Sequence, residues 1–74
     1  MRYEIRSDVT GRVWRVLKSE GDEVGVDDPI LIVEAMKMEI PVTSDRPGKV
    51  VELSKAEGDA VSEDEVVAVL ESGE

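Results

Sequence analysis

A chain of 74 residues makes one small domain, near the lower size at which a hydrophobic core holds without staples, and leaves no room for a second. With neither cysteine nor histidine it has no disulfide, no thiolate metal site and none of the usual nucleophile and general-base side chains, which argues for a protein acted upon rather than an enzyme. A formal net charge of −9 argues against nucleic acid or an anionic membrane as partner, because both demand a basic surface.

The chain opens on Met1-Arg2-Tyr3-Glu4-Ile5-Arg6, which lacks the apolar stretch of a signal peptide, and its longest apolar run is only Val66 to Leu70. A soluble, cytoplasmic protein is expected, monomeric on its own; the start at Met1 favours a complete small protein, with an excised domain as the equal alternative. Arg12 to Lys18 reads as a strand whose apolar residues, Val13 and Val16, stand three apart instead of two, so a bulge or a strong local twist is expected. Trp14, in the middle of that segment, is expected to pack, with a docking contact as the alternative. Gly21-Asp22 closes the strand with a residue able to take positive φ and a side chain able to bond nearby backbone. Ile30 to Val33 is a short β-branched run with much of both faces covered. Pro47-Gly48 stands where a type II turn takes proline then glycine. Lys49 to Lys55, Gly58-Asp59 and Val66 to Leu70 then repeat the strand, turn and strand already met.

That repetition is exact in spacing. Shifting the chain by 37 positions without a gap superposes Ser7 on Ser44, Asp8 on Asp45, Gly11 on Gly48, Val13 on Val50, Lys18 on Lys55 and Glu20 on Glu57. Gly21, Asp22, Val24, Asp27 and Glu34 likewise fall on Gly58, Asp59, Val61, Asp64 and Glu71. Eleven identities among the 36 pairs formed by residues 2–37 and 39–74 exceed the roughly three or four that chance allows for this composition. Residues 1–37 and 38–74 are therefore read as one unit used twice. Neither could bury a core alone, so a single pseudo-twofold domain over residues 1–74 is expected. The spacing of turn signals predicts an all-β fold of about seven or eight short strands in two small sheets.

Glu34-Ala35-Met36-Lys37-Met38-Glu39, at the join, consists of good helix formers. Six residues are too few for an isolated helix, and β-type runs flank them, so a tight hairpin is predicted instead. Met-Lys suits such a turn poorly, because asparagine or glycine normally relieves the strain of positive φ there. Residues that defy local rules tend to be functional.

The segment Glu34-Ala35-Met36-Lys37-Met38 closely resembles the acceptor motif of biotinyl domains, the Ala-Met-Lys-Met of biotin carboxyl carrier proteins. Gly11, Glu20-Gly21-Asp22, the Pro29–Glu34 strand, Pro41, Pro47-Gly48 and Glu57-Gly58-Asp59 resemble the wider biotinyl/lipoyl pattern, so the likeness covers roughly residues 5–71. It implies a flattened barrel, or sandwich, of two four-stranded antiparallel sheets with pseudo-twofold symmetry, the hammerhead fold, with Lys37 at a hairpin tip. It implies that biotin protein ligase joins biotin covalently to Lys37, with Glu34, Ala35, Met36, Met38 and Glu39 forming the hairpin that the ligase recognises. Gly11, Gly21, Asp22, Gly48, Gly58 and Asp59 would be structural turn residues. A free lysine amine has a pKa of about 10.4, so the ligase must supply both the base and the activated biotinyl-adenylate. The loaded arm would then carry carboxyl groups between a biotin carboxylase and a carboxyltransferase. No room exists for the extra loop of some carriers, so the chain is similar to the thumbless kind. A lipoyl carrier, which shares the fold and a hairpin lysine but usually reads Asp-Lys-Ala at the acceptor, is the nearest alternative, and an unmodified interaction module is the other. Met36 and Met38 are expected to lean toward the barrel end or cover its rim. Glu34 has a counterpart in Glu71, in the half without an acceptor, so structure and function weigh equally for it.

Overall fold

A computed structural model describes residues 1–72. Eight strands follow in order: β1 (Arg2–Arg6), β2 (Gly11–Val16), β3 (Glu23–Val24), β4 (Pro29–Ala35), β5 (Met38–Thr43), β6 (Gly48–Leu53), β7 (Ala60–Val61) and β8 (Val66–Glu71). They form two four-stranded antiparallel sheets, sheet A ordered β1-β8-β6-β3 and sheet B ordered β5-β4-β2-β7. No helix among the described residues is long and apolar enough to cross a membrane.

Strands β1 to β4 lie 37 residues before β5 to β8, and exchanging each strand for its counterpart converts one sheet into the other. The halves are interlaced rather than stacked. Only β2–β4 and β6–β8 pair within a half, whereas β1–β8, β3–β6, β2–β7 and β4–β5 all cross between halves.

The core is equally paired. Ile5/Val42, Val13/Val50, Val24/Val61, Ile30/Val67, Leu31/Ala68 and Val33/Leu70 account for every residue of the buried cluster. No aromatic ring belongs to it, so β-branched packing between two close sheets supplies the burial energy.

The three-residue apolar spacing is resolved by a bulge in each long strand, between Val13 and Arg15 on β2 and between Val50 and Glu52 on β6. An extra residue there lets Val13 and Val16 both turn inward while Trp14 and Arg15 both turn out. The Val16 N–H then donates to the Glu57 carboxylate at 3.2 Å, and the Leu53 N–H to Glu20 at the same distance. These glutamates reach from the turn of one half to the strand of the other. Between them, Gly21 and Gly58 adopt φ of 97° and 93°, and their N–H groups donate to the carbonyls of Val50 and Val13. The Asp22 and Asp59 carboxylates accept from the N–H of Ser19 and Ala56 at 2.8 and 2.9 Å, closing each turn.

Two polar residues are buried, Ser7 and Ser44, and both are satisfied. The Ser7 hydroxyl donates to the Val9 carbonyl at 2.6 Å, and Ser44 donates to the Arg46 carbonyl. Their backbones cross-link the halves. Ser7 N–H donates to Glu65 and Ser44 N–H to Asp28, while Asp64 and Asp27, both at positive φ, donate back to the Ser7 and Ser44 carbonyls at 2.7 Å.

The type II turn expected at Pro47-Gly48 does not form. Gly48 opens β6 without positive φ, and the hydroxyl of Ser44 organises the preceding bend instead. What selects glycine there is close approach: a Cβ would stand 2.6 Å from the Tyr3 hydroxyl and 3.0 Å from the Glu71 carbonyl. Gly11 is its counterpart, and a Cβ there would run into the backbone carbonyl of Glu34.

Two outcomes are expected. Gly11→Ala meets backbone that cannot move aside and costs about 1–3 kcal/mol, whereas Gly48→Ala mainly displaces the end of a side chain and costs less; urea titration ranks them. Peptides spanning residues 1–37 and 38–74 each lack strand signal by circular dichroism, because either alone keeps only one of the six pairings.

Candidate functional site

The segment of good helix formers is a hairpin. Ala35 ends β4, Met38 begins β5, and the two residues face each other across the ladder with Glu34 facing Glu39. Only Met36 and Lys37 lie between, with φ of 52° and 64°. Positive φ at both central residues is the type I′ geometry, whose twist matches that of the flanking strands. Neither residue is a glycine or asparagine, so each costs about 1 kcal/mol for its left-handed backbone. The neighbouring β4 run, with Ile30, Leu31 and Val33 buried, holds the turn in place despite that cost.

Every side chain around the turn except Ala35 is exposed. Met36 is 93% exposed and Met38 63%, so neither covers the barrel rim as expected from strand alternation; both thioethers stand in solvent beside Lys37. The left-handed turn is what removes Met36 from the alternation. Lys37 is exposed, and among the described residues no carboxylate lies within ion-pairing distance of its ammonium. Glu34 and Glu39, both exposed, place like charges directly opposite each other at the base of the hairpin, an unfavourable cross-strand pair. Arg12 faces Glu34 from the next strand. It was not singled out from the sequence, and only the strand register brings it to this row.

The remaining candidate residues serve the frame. Gly11 and Gly48 admit close backbone approach, and Gly21, Asp22, Gly58 and Asp59 make the two turns already described. The ionisations that the fold perturbs lie in sheet A and in the β7–β8 connection. Burial pushes the Tyr3 phenol up, and a hydrogen bond from Lys55 holds the Glu65 carboxyl below its usual range. No group of three or more metal-ligating side chains occurs among the described residues. The hairpin can therefore do one thing chemically: present a free primary amine, between two thioethers, on a fixed two-residue tip.

Comparison with known proteins bears on that amine. Over 42 residues the chain is 43% identical to the biotinylated protein TB7.3 homolog of Mycobacterium leprae and 40% identical to that of Mycolicibacterium smegmatis. The matched stretch is 57% of this chain and 59% of each relative. The crystal structure of the Kluyveromyces lactis urea carboxylase contains a region, 6% of its chain, that superposes on 96% of this one with a TM-score of 0.91 and 35% identity. A single-chain, multi-domain long-chain acyl-CoA carboxylase matches 99% of the chain over 7% of its own, with a TM-score of 0.89 at 20% identity, a likeness of fold alone. Residues 1–70 match the model of the biotin/lipoyl attachment family, described as biotin-requiring enzyme, and the chain belongs to that family.

Proposed function

We propose that Lys37 is the covalent attachment site of biotin and that the domain is the carrier of a biotin-dependent carboxylase. The observation that carries this reading is the turn itself: two non-glycine residues held in left-handed conformations at a solvent-facing tip, where folding alone favours Asn-Gly. Attachment forms an amide between Lys37 Nζ and the carboxyl carbon of biotin as the acyl–phosphate bond of the biotinyl-adenylate breaks and AMP leaves. The amine must lose a proton to attack, and no histidine exists in the chain to take it, so biotin protein ligase supplies both the activation and the base. The domain's own contribution is position. A two-residue turn backed by a buried strand offers Nζ in a narrow range of places, which lowers the entropic cost of reaching the ligase's reactive centre.

Once attached, biotin would carry a carboxyl group that a biotin carboxylase loads onto it from bicarbonate with ATP and that a carboxyltransferase passes to its acceptor. For this the chain offers exposed side chains around the tip and a core that the tip does not enter. A lysine stem on a stiff domain keeps the arm's effective concentration higher than a loose linker would. Names of the relatives support biotin over lipoate, and the methionines on both sides of Lys37 agree with that choice.

Mass spectrometry of the chain after coexpression with its host's biotin protein ligase is expected to find one biotin adduct, on Lys37; a lipoyl adduct or an unmodified chain overturns the reading. Lys37→Arg keeps the charge and abolishes streptavidin binding. Met36→Asn relaxes the left-handed backbone and is expected to raise stability by about 0.5–1 kcal/mol, a gain of about 3–6 °C in Tm, while slowing biotin attachment. Calorimetry and ligase kinetics on the same sample separate these two effects.

A further inference from the structure

The pseudo-twofold symmetry provides an internal control for surface function. Positions that serve only the fold need the same chemistry in both halves, and the core pairs satisfy that rule throughout. The outward face of sheet B breaks it. Arg15 pairs with Ile32, and Ile32 pairs with Pro41 on the other side, giving a row across β2, β4 and β5, with Trp14 beside Arg15 in the bulge. Trp14 is 42% exposed, and the Arg15 guanidinium lies over its ring at 4.7 Å from the centroid. The counterparts of Trp14, Arg15, Ile32 and Pro41 on sheet A are Val51, Glu52, Val69 and Glu4. In the same backbone setting, sheet A carries two acids and two valines, and sheet B carries a cation and three apolar groups.

Structural need does not account for that difference. Trp14 lies outside the core, contrary to the packing role expected from the sequence, and the matching place on sheet A is filled by a valine. Arg12 and Arg15 make no ion pair among the described residues. The row also lies close to the acceptor. Only the row of Arg12, Glu34 and Glu39 separates it from the Ala35–Met38 base of the turn, so about 10 Å of strand joins Ile32 to Ala35.

We infer that Trp14, Arg15, Ile32 and Pro41 form a docking face for biotin protein ligase, extending its contact beyond the hairpin. This rests on the reading of Lys37 as the acceptor. The ligase is favoured as occupant because it must find Lys37 while no biotin is present. Its recognition has only protein surface to use, whereas later enzymes can also bind the biotin itself. Charge defines the complementary surface. In a chain of net charge −9, Arg12 and Arg15, neither in an ion pair among the described residues, give this face local positive charge, so a ligase face bearing carboxylates around an apolar contact would complement it. Tryptophan and arginine are among the residues most enriched at the energetic centre of such contacts.

The test transfers sheet A's residues onto sheet B: Trp14→Val, Arg15→Glu, Ile32→Val and Pro41→Glu together, each already accommodated at the equivalent backbone position. Initial rates of biotin incorporation by the purified ligase of the same host, with biotin and ATP, are measured against carrier concentration. The four-residue variant is expected to raise KM for the carrier about tenfold or more with kcat unchanged. Arg15→Glu alone shifts KM the same way, which keeps the test valid if the fuller variant melts early. Wild-type KM rises with added KCl, and the variant loses most of that dependence. Val51→Trp with Glu52→Arg on sheet A leaves KM unchanged. A variant KM within about twofold of wild type overturns the docking face while leaving the acceptor intact. Wild-type chain that takes up no biotin at Lys37 overturns the function itself and the docking face with it.

Discussion

Backbone hydrogen bonds that cross between the two halves are the interaction on which the domain depends. Strands β1, β3, β5 and β7 have no partner in their own half, and even the hairpin from β4 to β5 joins one half to the other. An unpaired backbone amide in a dry setting costs as much as a lost hydrogen bond, so each half is committed to the other by its own polar main chain. The side chains follow the same rule. Glu20 and Glu57 answer the N–H groups freed by the bulges, and Ser7 and Ser44 anchor the crossings between Asp64, Glu65, Asp27 and Asp28. A core of aliphatic residues without a single ring then suffices, because the sheets are held in register before packing is counted.

This construction explains why the β4–β5 hairpin can carry an unfavourable turn. Strain at Met36 and Lys37 is tolerated when the surrounding structure determines it from several sides, and β4, the second strand of sheet B, is bonded on both edges. The like charges of Glu34 and Glu39 add to the cost at the same place. A turn optimised for folding would have neither feature. Chemistry at the tip is limited to an amine and two thioethers, which suits a residue modified by another protein's catalytic machinery.

Much of this was legible in the sequence because duplication doubles every signal. Apolar residues three apart marked a bulge twice, Glu-Gly-Asp marked a turn twice, and the short apolar runs marked β4 and β8. The hairpin over the helix followed from length and flanks. What was not legible depended on contacts between distant segments. Propensity says nothing about which strand lies beside which, so the interlacing of halves was hidden, and with it the reach of Glu20 to Leu53 and the row of Arg12, Glu34 and Glu39. Pro47-Gly48 looked like a local turn because local patterns cannot register the Tyr3 hydroxyl and Glu71 carbonyl that crowd Gly48. Trp14 looked like core because its size is visible in sequence and its place in a bulge is not.

The hydrogen bond from Ser72 N–H to the Met1 carbonyl has an architectural consequence. It is the counterpart, under the 37-residue shift, of the Ala35–Met38 pair that closes the hairpin, so where sheet B has a turn sheet A has the start of β1 beside the end of β8. Polypeptide attached at either position would leave from one corner of sheet A, and the reactive amine belongs to sheet B. Such a unit can be spliced into another protein as a closed cassette, since entry and exit coincide and neither strand order nor tip has to change to admit the host.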